Sequence, residues 1–223
     1  MDIKKKLSEI RSSIPDGVKL VAVSKFHTAE TIKKAYDAGQ RIFGESRVQE
    51  LITKQPALPE DIEWHFIGTL QTNKVKNIIP FISMIQSVDS LKLMKEINRQ
   101  AERCSRKVRV LIEVHIAEEE SKHGFTPIEC KALFSDGTVA QFSNLQVCGL
   151  MGMATFTDDT EQVRREFGKL RRLFDEIKSM PETDKPVFTE LSMGMSDDYK
   201  TAVGEGSTIV RIGTAIFGTR EKQ

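Results

Sequence analysis

Short apolar runs and amphipathic stretches alternate along this chain almost to its end. The runs "VKLVAVSKF", "RIFGES", "EWHFIGT", "MIQSV", "VRVLIEVHI", "LQVCGLMGM", "FTELSM" and "TIVRIGTAIFG" read as strands. Most are near-continuously apolar, as strands covered on both faces are, which predicts a parallel sheet. Between them, "SLKLMKEINRQAERC" and "DTEQVRREFGKLRRLFDEIKSM" carry apolar residues three and four positions apart, the spacing of one helix face. Another helical pattern precedes the first strand. About eight strand–helix units predict an α/β fold: a single (β/α)8 barrel of the TIM type with an extra N-terminal helix, one domain over residues 1–223. An open doubly wound sheet takes the same number of units. It would place a glycine-rich turn after its first strand, where this chain has "SKFHTAE".

Composition narrows the function classes. The 33 basic and 32 acidic residues nearly cancel, so net charge does not point to a nucleic-acid binder. The "KKK" at Lys4–Lys6 reads as a solvated helix face. Cys104, Cys130 and Cys148 are widely spaced and odd in number, which suggests neither a disulfide framework nor a zinc knuckle. "MDIKKKLSEIRSS" lacks the apolar segment of a signal peptide, and no run approaches the ~18 apolar residues of a membrane helix. The expectation is a cytoplasmic protein without a membrane partner.

The candidate chemistry begins at Lys25. Side chains alternate along a strand, so Val21, Val23 and Lys25 share a face. If the two valines fill a barrel, the lysine points into its mouth, at the strand ends where barrel sites lie. A partly desolvated amine there can attack a carbonyl, whereas a structural lysine would pair with a carboxylate. In "GSTIVRIGTAIFGTR", Arg211 and Gly213 fall on one face, and Thr214 adds an amide and a hydroxyl beyond it. In "LSMGMSDD", Ser192, Gly194 and Ser196 form a turn that can present hydroxyls and backbone N–H groups. Turns after strands seven and eight are where barrels commonly bind phosphate. A phosphorylated aldehyde would engage the lysine and both turns together, and pyridoxal 5′-phosphate (PLP) is the obvious candidate.

The chain also resembles the pyridoxal phosphate homeostasis protein family, whose barrel is similar to the N-terminal domain of alanine racemases. The resemblance rests on "VAVSKFHTAETIKKAYDAG", "FGESRVQE", "EWHFIGTLQTNKVK", "SVDSL", "GLMGMA", "ELSMGMSDDY" and "GSTIVRIGTAIFG". It implies that Lys25 holds PLP as an imine, that Ser192, Gly213 and Thr214 hold its phosphate, and that Arg211 faces the pyridine nitrogen. The chain departs from the family at Ser46 and His115, where relatives usually carry asparagine. Other candidates are weaker. His65, beside Trp64, either lines the mouth or is a core histidine. Asn73 and Lys74 could steer an anion but read by default as a surface helix start. His115 and His123, with Glu118–Glu120 between them, lack a recognised metal spacing. His27 reads as a residue at a helix start, and Met151, Met153, Met193 and Met195 as packing at the barrel top.

A PLP enzyme needs acid–base groups as well as the cofactor. Arg211, a permanent cation, should disfavour protonation of the pyridine nitrogen. Alanine racemases also use an arginine there, but they take a tyrosine base from a C-terminal β-domain. This chain ends within a few residues of "AIFGTR", so no such domain is expected, and its tyrosines are Tyr36, in a helix pattern, and Tyr199, after the phosphate turn. The resulting expectation is a monomeric PLP carrier serving PLP homeostasis, with PLP-dependent apo-enzymes as candidate recipients and effects on amino- and keto-acid balance. The alternative is a small PLP-dependent racemase or lyase.

Overall fold

Eight parallel strands close into a barrel in sequential order, each hydrogen-bonded to its neighbours and the eighth to the first. The computed structural model describes residues 2–118 and 123–218. The strands are β1 (Lys19–Val23), β2 (Ile42–Glu45), β3 (Glu63–Phe66), β4 (Met84–Val88), β5 (Val108–Glu113), β6 (Leu145–Met151), β7 (Glu190–Ser192) and β8 (Ile209–Ile212). Helix α1 (Ile3–Ser13) precedes the barrel, as expected. The connecting helices are α2 (Ala29–Asp37), α3 (Val48–Lys54), α4 (Val75–Ile78), α5 (Leu91–Arg103), α6 (Pro127–Ser135), α7 (Thr160–Ser179) and α8 (Tyr199–Gly204). Side-chain caps start several of them; Thr126 and Glu129 form a reciprocal capping box at α6.

Alternation divides the apolar residues between two cores. Outward-facing strand residues such as Ala22, Phe43, Trp64, Phe66, Val210 and Ile212 pack with the helices in the larger one. Val21, Met84, Leu111, Cys148, Met151 and Ile209 fill the barrel itself. Below this inner layer, the Lys19 ammonium pairs with the Glu190 carboxylate, and Arg109 lies 3.7 Å from the same oxygen. Above it the interior turns polar again. The barrel is therefore plugged at its base and layered upward, which leaves the C-terminal strand ends to form a site. None of the described helices is long and apolar enough to cross a membrane.

One boundary differs from the sequence reading. The eighth run was expected to be strand through "AIFG", but β8 stops at Ile212 and Thr214–Phe217 form a one-turn helix, α9. At Gly213 the chain passes close to β1: a Cβ there would lie 3.2 Å from the Val23 carbonyl oxygen and 3.3 Å from its Cβ. The extended ladder ends at this contact, and the Gly213 carbonyl accepts the Ile216 and Phe217 amides instead.

Candidate functional site

Lys25 lies two residues beyond β1 in a tight turn, half-buried. The Ser24 amide continues the ladder by donating to the Gly44 carbonyl at 2.9 Å. Its hydroxyl faces outward and donates to Glu45 Oε1 at 2.6 Å. If strand alternation carries through Ser24, Lys25 faces inward with Val21. Phe26 follows with φ of 69°, a left-handed conformation uncommon for an aromatic residue. Its amide donates to Glu50 Oε2 at 2.7 Å, and the Arg47 guanidinium covers its ring at 4.5 Å.

Inside the barrel mouth runs a directed hydrogen-bond chain. Arg211, buried on β8, donates from Nη1 to Ser192 Oγ at 2.6 Å and from Nη2 to the Gly152 carbonyl at 3.1 Å. Ser192 donates to Gln86 Oε1 at 2.7 Å, and Gln86 Nε2 lies 2.8 Å from His65 Nδ1. Because the amide oxygen already accepts from Ser192, the amide nitrogen faces the imidazole, and Nδ1 accepts. The ring proton then sits on Nε2, which is buried without a partner among the described residues. Burial, with Arg109 and Lys19 nearby, pushes the His65 pKa down to about 3, so the ring is neutral at pH 7. Burial likewise lowers Arg211 to about 10 against the pull of Asp198 and Glu113, which leaves it protonated at pH 7.

Glu113, at the end of β5, adds a titratable carboxyl. Burial, then the Asp89 charge, raises it to about 7, while Arg211 and His123 act in the opposite direction.

The rim is built from β7, β8 and their following turns. The Arg211 amide donates to the Gly194 carbonyl at 2.9 Å, holding the two turns side by side. Gly194 has φ of 97°, and a Cβ on it would lie 2.6 Å from the Ala202 Cβ, so glycine is required by both conformation and space. The Ser196 hydroxyl lies 3.5 Å from the Ala215 amide in the first turn of α9. The Thr214 and Ala215 amides belong to the helix's opening turn, which has no intrahelical acceptors for them. Gly213, half-buried, abuts Val23, so this rim adjoins the strand that leads to Lys25.

The expected residues therefore separate into three groups. Gly194, Gly213 and Thr214 are at the rim; Lys25 is on the neighbouring loop; His65, Ser192 and Arg211 form the buried chain. Ser192 is fully buried, with its hydroxyl shared between Arg211 and Gln86, so it does not stand with the rim hydroxyls. Alternation along β7 explains this, because Glu190 and Ser192 both point into the barrel, one at its base and one near its top. Ser196, half-buried, takes the place at the rim. Sequence reasoning passed over Gln86, although a lone amide within the apolar run "MIQSV" signals a buried partner.

The minor candidates lie elsewhere. His27 packs against Phe217 with the rings tilted and their centroids 4.8 Å apart, and Asn73 and Lys74 are exposed in a one-turn helix. Of the His115, His123 and Glu118–Glu120 group set aside for lack of a metal spacing, Glu119 and Glu120 lie outside the described residues, and no metal-binding group occurs among those described. The Tyr36 hydroxyl donates to Asp61 at 2.6 Å, and that of Tyr199 shares a hydrogen bond with Ser13 at 2.9 Å. Met151 packs inside the barrel, Met153 packs against that core, Met193 joins the outer core, and Met195 is exposed.

A closed parallel barrel with a lysine loop beside a glycine-bearing rim belongs to a known class of protein. The family model described as alanine racemase, N-terminal domain, matches residues 2–221. Within that class the chain belongs to the pyridoxal phosphate homeostasis protein family. A member from Aquifex aeolicus is 43% identical over 204 residues, covering 91% of this chain and 87% of the relative. PipY of Synechococcus elongatus, 37% identical, covers 97% of this chain, which covers all of PipY; its structures without and with bound PLP superpose with TM-scores of 0.90 and 0.87. An alanine racemase from Clostridium difficile, at 14% identity and a TM-score of 0.77, shares the fold; this chain covers 58% of it.

Proposed function

We propose that this chain binds PLP at the barrel mouth as an imine to Lys25 and serves PLP homeostasis as a carrier, able to load apo-enzymes. The observation that carries this reading is the placement of Lys25, Arg211 and the Gly213–Thr214 turn on adjoining strands at one barrel end. The PLP-bound PipY structure supports it. The donor set fits the ligand: an amine for the aldehyde, amides and a Ser196 hydroxyl for the phosphate, and a guanidinium within the mouth for the ring. Bound PLP would supply an electrophilic carbon and an electron-withdrawing ring.

The chain's own groups favour holding over turnover. Arg211 is kept protonated and pinned by two acceptors, so it opposes a second positive charge on a ring nitrogen facing it. The hydroxyls of Tyr36 and Tyr199, the tyrosine bases a racemase would need, bond to Asp61 and Ser13 respectively. The test is the visible spectrum of purified protein before and after borohydride, with peptide mapping of the reduced adduct. A label on the peptide containing Ser24 and Phe26 is expected, and label on another lysine would refute the assignment. The carrier reading also expects slow or absent loss of α-deuterium from L-amino acids. Sustained turnover at about 1 s⁻¹ or faster would overturn it.

A further inference from the structure

The loop bearing Lys25 is held from outside the barrel by a buried ion cluster. Lys54, the last residue of α3, is buried and directs its ammonium at three acceptors: the Ser24 carbonyl at 3.1 Å, Glu45 Oε1 at 2.9 Å and Glu50 Oε2 at 2.9 Å. An ammonium has three protons, and each has a partner here. Glu45 also accepts from the Ser24 hydroxyl, and Glu50 accepts from the Phe26 amide. Both neighbours of Lys25 are therefore fastened to one cluster, and Lys25 lies between the two fastenings. Glu50 and Lys54 are one helical turn apart, so α3 sets their spacing. The Phe26 amide bond also braces the residue with left-handed backbone.

We infer that Lys54, Glu45 and Glu50 act as a positioning clamp that fixes where the Lys25 amine enters the barrel mouth, and hence how much PLP is held covalently. This rests on the PLP reading above.

The test compares Lys54→Met, Glu50→Ala and Glu50→Gln with wild type. Each is saturated with PLP, reduced with borohydride and mapped, and the adduct on Lys25 is expressed per bound PLP. Binding of pyridoxine 5′-phosphate, which has no aldehyde, reads the phosphate and ring contacts alone. Lys54→Met and Glu50→Ala should lose covalent capture roughly tenfold, the scale of a small misplacement of a reacting group, with pyridoxine 5′-phosphate affinity unchanged. Glu50→Gln keeps an acceptor for the Phe26 amide and should capture nearly as wild type does. The rate of Lys25 acetylation by limiting acetic anhydride in PLP-free protein gives a second readout and should change in the same two variants. Glu50 is partly exposed, so Glu50→Ala decides the matter if Lys54→Met does not fold. Unchanged capture and acetylation in folded variants, or equal weakening of both ligands, overturns the clamp. A wild type that takes up no PLP overturns the functional reading, whereas the acetylation result judges the clamp separately.

Discussion

Ser192→Ala and Ser196→Ala should have opposite signatures, and the contrast tests the division between buried chain and exposed rim. Ser192 Oγ accepts from a charged guanidinium at 2.6 Å and donates to a neutral amide at 2.7 Å, all within the barrel. Losing a bond to a charged group costs about 1.5–3 kcal/mol and a neutral one about 0.5–1.5, so Ser192→Ala should cost roughly 2–4 kcal/mol of stability. For a chain of this size that is a fall in Tm of about 5–15 °C. Arg211 keeps its bond to Gly152 but loses the other anchor. PLP and pyridoxal should therefore weaken together, because both present the same ring to Arg211. Ser196 is half-buried and lies beside the Ala215 amide, so its loss should leave stability nearly unchanged. It should weaken PLP about ten- to a hundredfold, the equivalent of one charge-assisted hydrogen bond, and leave pyridoxal as it was. Dialysis with each ligand and thermal unfolding of the apo proteins give all four numbers. If Ser192→Ala selectively loses PLP and Ser196→Ala does not, the phosphate sits against Ser192 and the assignment of the rim is wrong.

Two further outcomes follow from buried carboxyls. Glu113 is raised to about 7 in the folded chain, so between its ordinary value and pH 7 the native state binds more protons than the unfolded one. Stability should fall as pH climbs through that window, by on the order of 3 kcal/mol at most. Glu113→Gln should remove this slope in urea melts, with a gain above pH 7 that vanishes near pH 4; parallel curves for the two proteins would refute it. Glu166 is buried and accepts from the Thr155 amide at 2.6 Å, the Thr155 hydroxyl at 2.8 Å and the Glu118 amide at 3.1 Å. Burial works against its charge, but these donors and Gln162 hold its pKa below the ordinary value. Glu166→Ala should cost about 3 kcal/mol by urea unfolding, and a change under about 0.5 kcal/mol, the scale of a surface substitution, would show the tether to be idle.

How much was legible depends on which period governs a residue. The count of units and the apolar runs pointed to a barrel, and alternation placed Lys25 with Val21 and Arg211 opposite Val210. Alternation needs a strand boundary to be useful, however. β7 has three residues, and "ELSMGMSDDY" does not show where extension gives way to the turn. Two serines four positions apart were thus read as one turn, although Ser192 belongs to the barrel interior and Ser196 to the rim. The helix after Gly213 was hidden for a similar reason: "AIF" is as apolar as a strand, and only the close pass against Val23 ends the ladder. The Lys54 cluster left no periodic signal, because it joins the loop after β1, the last residue of β2 and two residues of α3.

These misreadings share a physical cause that bears on how the site works. The apolar periodicity reports what is buried against water, but the site is held by polar groups buried against one another. Arg211 is oriented from within, through Ser192 and Gly152, whereas the Lys25 loop is gripped from the outer face through Lys54. The two supports have no residue in common. Arg211 can therefore stay fixed while the lysine loop is tuned independently. That arrangement suits the carrier proposed above, which has to hold an aldehyde firmly enough to keep it and reversibly enough to give it up. A buried charge is costly unless its partners are well placed, so each support stands or falls as a unit. Weakening the outer one should loosen covalent capture without disturbing Arg211, and weakening the inner one should do the reverse.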